Sequence, residues 1–126
     1  MIAVVDDEDS VRKAVLRVLR AAGFCARGFA SGAEFLNSWH FDRPECLVLD
    51  LQMPGLSGVE VQKSLVSAGA LFPIVIITAH DTPTLREECI RHGAAAYLCK
   101  PLDIGALLHA VERFSSSPAQ GQGPPH

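Results

Sequence analysis

The stretch CLVLDLQMPGLSGVE, residues 46–60, contains a buried strand, an acid at its end and a helix start. Cys46-Leu47-Val48-Leu49 is a continuous apolar run, which fits a strand covered on both faces rather than one alternating between core and solvent. Asp50 ends the run. Ser57-x-x-Glu60 is a capping box: the serine hydroxyl accepts from an orphan backbone N–H while the glutamate reaches back to the helix start. Val59, Leu65 and Val66 supply the apolar positions of that helix.

The same unit recurs on both sides. Upstream, Ile2-Ala3-Val4-Val5 runs into acids. From Val11, the residues Ala14, Val15, Val18, Leu19 and Ala22 make the stripe of an amphipathic helix. Gly23 stops that helix as a left-handed cap, and Phe24 to Phe29 reads as a second strand. Ser31-x-x-Glu34 is another capping box, launching a short helix towards Trp39. Downstream, Pro73 introduces the strand Ile74-Val75-Ile76-Ile77. Thr82 followed by Pro83 is an N-cap with proline at the first helical position, and Gly93 closes the fourth helix. Ala95 to Cys99 is the fifth strand, and Ile104, Leu107, Leu108, Val111 and Phe114 form the apolar face of the last helix.

Five strands and five helices in strict alternation, with strands this apolar, require a parallel sheet with helices on each side. Right-handed crossovers leave few topologies, of which the flavodoxin-like doubly wound (βα)5 order 2-1-3-4-5 is the best candidate. Residues 1–114 carry the whole pattern. From Ser115 onward, SSSPAQGQGPPH has no apolar period and reads as a flexible tail or the start of an interdomain linker.

Composition agrees with one globular domain: 126 residues, 48% hydrophobic and 20% charged. A net charge of −3 gives this segment no electrostatic footprint for nucleic acid or an anionic membrane. The first residues enter strand one directly and no apolar run approaches bilayer length, so a cytoplasmic protein is expected. The cysteines Cys25, Cys46, Cys89 and Cys99 form no C-x-x-C pair, and their expected role is that of small buried hydrophobes. The histidines are scattered, with His92 and His109 lacking any nearby ligand partner, so zinc is not expected.

In a parallel sheet of this kind, chemistry sits beyond the carboxyl ends of the strands. Strand one ends in Asp6-Asp7, strand three in Asp50, strand four in Thr78 and strand five in Lys100-Pro101. Singly, each has a bland explanation: an acid pair after a strand is commonly a helix cap, a role Asp9 or Ser10 could equally fill. Jointly they do not. Three carboxylates at one rim repel unless a cation intervenes, and Mg²⁺ fits an all-oxygen site that keeps several waters. Lys100 adds a point charge and Thr78 a hydroxyl donor, which completes the parts of a phosphoryl-transfer site with a carboxylate nucleophile.

Four stretches together, VVDDE at 4–8, LDLQMPGLSGVE at 49–60, IITAH at 76–80 and GAAAYLCKP at 93–101, resemble the receiver domains of two-component response regulators over residues 2 to 114. The resemblance implies that Asp50 is the phosphoacceptor. It implies that Asp7 and Asp50 bind Mg²⁺ directly, Asp6 mainly through water, and that the Gln52 backbone carbonyl completes the protein ligands. Thr78 and Lys100 would grip the phosphoryl oxygens, and Tyr97 would rotate inward as Thr78 moves. Gln52, Ala79 and His80 would tune dephosphorylation, and the Lys100–Pro101 bond would be cis. The implied partners are a cognate sensor histidine kinase and a second copy, meeting the face made by helix 4, strand 5 and helix 5. No membrane partner is implied.

The spacing from Asp50 to Thr78 and the M-P-G-L-S-G-V-E and T-A-H segments are most similar to FixJ-type transcriptional regulators. By that resemblance, DNA would be reached only through an output domain absent from this chain. A stand-alone receiver acting through protein contacts is the alternative. A third reading is an Mg²⁺-dependent phosphatase with an aspartyl nucleophile. It fits less well, because Asp6-Asp7 are adjacent rather than D-x-D and no cap domain encloses a substrate. The expected molecule is a switch and not an enzyme that turns over a separate substrate.

Overall fold

The computed structural model describes residues 1–115, so the linker or tail expected from Ser115 onward lies, beyond that residue, outside the described residues. The chain runs β1 (Ile2–Val5), α1 (Asp9–Ala21), β2 (Ala26–Phe29), α2 (Gly32–Leu36), β3 (Cys46–Asp50), α3 (Gly58–Ser67), β4 (Ile74–Thr78), α4 (Pro83–Arg91), β5 (Ala96–Cys99) and α5 (Ile104–Phe114). The strands form one sheet in the order β2-β1-β3-β4-β5, and every pairing is parallel. This is the doubly wound topology the alternation requires.

Side chains alternate across the sheet. Ile2, Val4, Cys46, Val48, Val75 and Ile77 enter one core with Val15, Leu19, Leu107 and Val111 of α1 and α5. Ala3, Val5, Leu47, Leu49, Ile74 and Ile76 enter the other, against Phe35, Val61, Leu65 and Cys89 of α2, α3 and α4. With both faces buried, apolar alternation cannot specify register, because a slipped strand would still bury apolar side chains. The strand ends do specify it. A one-residue slip would draw Asp6, Asp50 or Thr78 down the ladder into an apolar layer, where an unpaired polar group costs several kcal/mol, on the order of the 1.5–3 kcal/mol that burying a whole Leu or Ile contributes.

Local signals account for most boundaries. Ser57 and Glu60 make both bonds of the capping box that opens α3. Thr82 accepts from the Leu85 N–H at 3.1 Å, with Pro83 following. Gly23, at φ 96°, ends α1 while the Gly23 and Phe24 N–H groups donate back to Arg20 and Leu19 carbonyls. The same pair of bonds closes α4 at Gly93 and Ala94.

Several expectations need correction. Phe24 belongs to the cap of α1 rather than to a strand, so β2 starts at Ala26. The second helix stops at Leu36, and Trp39 is buried from a turn. At its start only half of the expected capping box forms: Ser31 Oγ accepts from Glu34 N–H. Neither Asp9 nor Ser10 caps α1; Glu8 occupies the cap position without a side-chain bond. Ala14, Val66 and Ile104 sit on apolar stripes yet are exposed, because a short helix buries a narrower arc than its apolar residues span. Cys46 and Cys89 are buried as expected, but Cys25 and Cys99 are exposed, since Cys25 lies before edge strand β2 and Cys99 ends edge strand β5.

Candidate functional site

The register builds the site. Val5 pairs with Leu49, so one residue on, Asp6 and Asp50 leave the sheet side by side. Asp50 is level with Ile77, and Thr78 with Cys99, which sets Thr78 and then Lys100 one step higher each. Ladder bonds continue past the strands: Leu51 N–H donates to Ile77 O at 3.1 Å and Lys100 N–H to Thr78 O at 2.7 Å. The alternation of side chains then sorts the polar groups. Asp6, Asp50 and Lys100 share the α1/α5 side, while Thr78 and Tyr97 share the α2–α4 side.

Lys100 Nζ lies 3.1 Å from Asp6 Oδ2, 3.4 Å from Asp50 Oδ1 and 3.7 Å from Glu8 Oε1. Asp6 is fully committed. Its other oxygen accepts from Glu8 N–H at 2.9 Å, and its carbonyl accepts from Arg12 at 2.8 Å. Asp50 is the opposite case: it is 2% exposed, and its Oδ1 has no hydrogen-bond donor aligned on it. Burial first, and the Asp6 charge second, push the Asp50 carboxyl up to about 6, against the pull of Lys100. Burial alone would lower the Lys100 ammonium, but the Asp50 and Asp6 carboxylates outweigh it and hold the ammonium above its ordinary value.

A buried carboxylate oxygen without a donor is costly to keep ionised. The composition of the rim explains how it can be tolerated. One oxygen each from Asp6, Asp7 and Asp50 lie within 4.8 Å of one another, close enough for a single hard cation to meet all three. Asp7 is the most open of the three and Asp50 supplies the unpaired oxygen. Both Asp6 oxygens are already engaged, one by Lys100 and the other by the Glu8 N–H. The donor set therefore fits a divalent cation such as Mg²⁺.

On the other side of the rim, Thr78 Oγ1 donates to Gln52 Oε1 at 2.8 Å and accepts from His80 N–H at 3.0 Å. Ala79 and His80 are exposed beside it. Tyr97 already rests half-buried against the α2–α4 core, so the expected inward rotation would start from a ring that is not out in solvent, and its hydroxyl is buried without a formed hydrogen bond. The Lys100–Pro101 peptide bond is cis. All the strand-end residues singled out in the sequence thus meet at one rim.

Four further participants were not legible in the sequence. The Glu8 N–H and the Arg12 guanidinium tie the start of α1 to Asp6, the Glu8 carboxylate faces Lys100, and Arg12 is also paired to Asp9. Asp81 and Arg86 pair over the Tyr97 ring. Their spacing of five residues falls outside the i, i+3 and i, i+4 pairs that a helix pattern reveals, because Asp81 stands before α4 and Arg86 within it.

A family model described as the response regulator receiver domain matches residues 2–112. The chain is 38% identical over 109 residues to the transcriptional regulatory protein FixJ of Azorhizobium caulinodans, covering 86% of this chain and 51% of that protein. It is 35% identical over 121 residues to the DNA-binding transcriptional regulator NtrC of Escherichia coli K12, covering 96% of this chain and 26% of NtrC. Among solved structures, the chemotaxis protein CheY4 of Vibrio cholerae superposes with a TM-score of 0.83 at 30% identity, covering 90% of this chain and 96% of CheY4. The chain spans about half of the FixJ length and about a quarter of the NtrC length. No helix among the described residues is long and apolar enough to cross a membrane.

Proposed function

The chain belongs to the response-regulator receiver family, and on that premise we propose that it takes a phosphoryl group onto Asp50 and passes the change on through the face of α4, β5 and α5. The observation that carries the reading is the state of Asp50. A carboxylate with an oxygen lacking a donor, beside a single lysine and two further acids, is a nucleophile short of positive charge.

In the proposed reaction, a carboxylate oxygen of Asp50 attacks the phosphorus of a histidine phosphate on a sensor kinase. The new O–P bond forms as the N–P bond breaks, and its electron pair leaves with the imidazole nitrogen. No general base is required, since the attacking oxygen carries no proton once the carboxyl is ionised. Asp7 and Asp50, with the Gln52 backbone carbonyl, would hold Mg²⁺ directly and Asp6 through water. Bound there, the ion supplies charge for the equatorial phosphoryl oxygens. Lys100 neutralises a further oxygen. Thr78 gives up its bond to Gln52 to donate to the phosphoryl group, and Tyr97 responds to that movement. Gln52, Ala79 and His80 border the path by which water reaches the aspartyl phosphate and so set its lifetime.

The molecule is therefore a signalling switch whose own side chain is the substrate. Output through transcription, by a DNA-binding domain outside this chain, is the reading that FixJ and NtrC favour. A stand-alone receiver is the alternative. A self-associating phosphorylated form, paired through α4, β5 and α5, fits either.

Incubation with acetyl phosphate and Mg²⁺ is expected to add the mass of one phosphate, and Asp50→Asn or a chelator to abolish the gain. Full phosphorylation of the Asp50→Asn protein would sink the assignment. Lys100→Ala is expected to keep metal affinity within a few-fold, because the lysine is not a ligand. It should nevertheless lose any phosphate-dependent dimerisation or partner binding. Unchanged dimerisation or binding in that variant would remove Lys100 from the switch.

A further inference from the structure

The side chains around Tyr97 carry an inference beyond the phosphoacceptor site. Tyr97 stands opposite Ile76 in the sheet, with its ring against the core that contains Ile76 and Cys89. The hydroxyl is buried and has no hydrogen-bond partner. Leaving a buried donor unpaired costs free energy that a rotation into solvent would recover, since water would satisfy the group at once. Some contact must therefore offset the inward position.

Apolar packing is one part of it. The other is Arg86, whose guanidinium carbon lies 4.8 Å from the Tyr97 ring centroid. Arg86 is itself held by Asp81, with Nη2 2.8 Å from Oδ2. Asp81 stands in the loop after β4, close behind Thr78, while Arg86 is in the second turn of α4. The three residues thus join the β4–α4 loop, α4 and β5. Burial first, and after it the hydrogen-bonding pull and charge of Asp81, push the Tyr97 hydroxyl up to about 12; the hydroxyl therefore faces the Asp81 carboxylate, although the approach falls short of a formed hydrogen bond.

We propose that the Asp81–Arg86 pair is a latch that holds Tyr97 inward in the unphosphorylated chain and so sets the resting state of the α4–β5–α5 face. Both partners are partly exposed, Arg86 at 49% and Asp81 at 37%. An ion pair and a cation–π contact in such a setting bias an equilibrium several-fold rather than absolutely, and salt screens the pair. The latch is a trim on the switch: it fixes how far the face is already set before any phosphate arrives. That regulatory meaning rests on Asp50 being the phosphoacceptor, whereas the latch itself does not.

Tyr97 is the only tyrosine in the chain, so a ring-labelled sample gives one set of tyrosine ring signals. Their relaxation by a soluble gadolinium chelate measures how often the ring visits solvent. Arg86→Ala and Asp81→Asn are each expected to raise that relaxation by about threefold, with Arg86→Lys in between because it keeps the charge and loses the flat stack. Sodium chloride at about 1 M should move the wild-type protein the same way and leave Arg86→Ala unmoved. Arg91→Ala, on the same helix and outside the cluster, controls for loss of fold. Unchanged relaxation in both Arg86→Ala and Asp81→Asn would overturn the latch. Acetyl phosphate labelling of the same samples, read by mass, separates the two proposals. Wild-type protein that takes up no phosphate counts against Asp50 as acceptor, and the tyrosine signals alone still decide the latch.

Discussion

Asp50→Asn is expected to stabilise the metal-free protein at neutral pH by roughly 3 kcal/mol while abolishing phosphoryl uptake. The folded Asp50 carboxyl is raised from 3.8 to about 6, chiefly by burial and then by Asp6. A raised carboxyl value means that the folded chain holds a proton which the unfolded chain has already released. Stability therefore falls as pH rises from about 4 to about 6, and the loss is complete above that window; at about 1.4 kcal/mol per unit, it amounts to roughly 3 kcal/mol. Asparagine keeps the shape, removes the charge and leaves Lys100 paired with Asp6 at 3.1 Å. Urea unfolding of both proteins between pH 4 and pH 8 checks this, the expected result being a gap that opens across the window. Mg²⁺ should then narrow the gap by stabilising the wild type and not the variant. Equal pH slopes for the two proteins would refute the account of Asp50 as a destabilised anion.

Gly58→Ala is expected to destabilise the fold by about 3 kcal/mol or more and to impair phosphorylation although no reactive group is touched. A Cβ at Gly58 would lie 2.5 Å from the Asp50 carbonyl oxygen and 2.8 Å from Leu51 Cα. Both are backbone atoms at the end of a central strand, and neither can rotate aside. The first turn of α3 would have to lift off the sheet, stretching the 3.0 Å bond from Gly58 N–H to Leu51 O. Overpacking of this kind costs about 1–3 kcal/mol when side chains yield, and more when backbone must. The shift in urea midpoint measures the cost, and acetyl phosphate uptake in protein still folded measures the displacement of Asp50. A midpoint within the error of the wild type would show that α3 can retreat freely.

The sheet was legible because β1, β3 and β4 are buried at every position, and an unbroken apolar run states that plainly. The site was legible for a related reason: a polar residue at the end of such a run has one place to go, the carboxyl rim. Edges were harder to read. β2 and β5 have a neighbour on one side only, so Cys25 and Cys99, apolar enough for a core, end in solvent. Phe24 read as strand because it is buried, yet its burial comes from a helix cap. Pairs such as Asp81 with Arg86 or Lys100 with Glu8 join different elements, and no periodicity in one element records them. The neighbours of Asp50 could be foreseen, whereas its missing hydrogen bond is a property of three dimensions alone.

The one-residue steps from Asp50 to Thr78 to Lys100 have a consequence for how the chain tolerates change in length. An inserted residue near the carboxyl end of β3, β4 or β5 moves one step of that staircase out of line with its neighbours. The amino-terminal end of the strands carries no such demand. Its turns hold Phe41 and Leu71, 89% and 91% exposed, and they join elements whose alignment is fixed elsewhere. A peptide graft at 41–43 or 69–71 should leave the rim aligned, whereas the same graft at 51–56 would dismantle it. The molecule thus has an end that must keep count and an end free to acquire new segments.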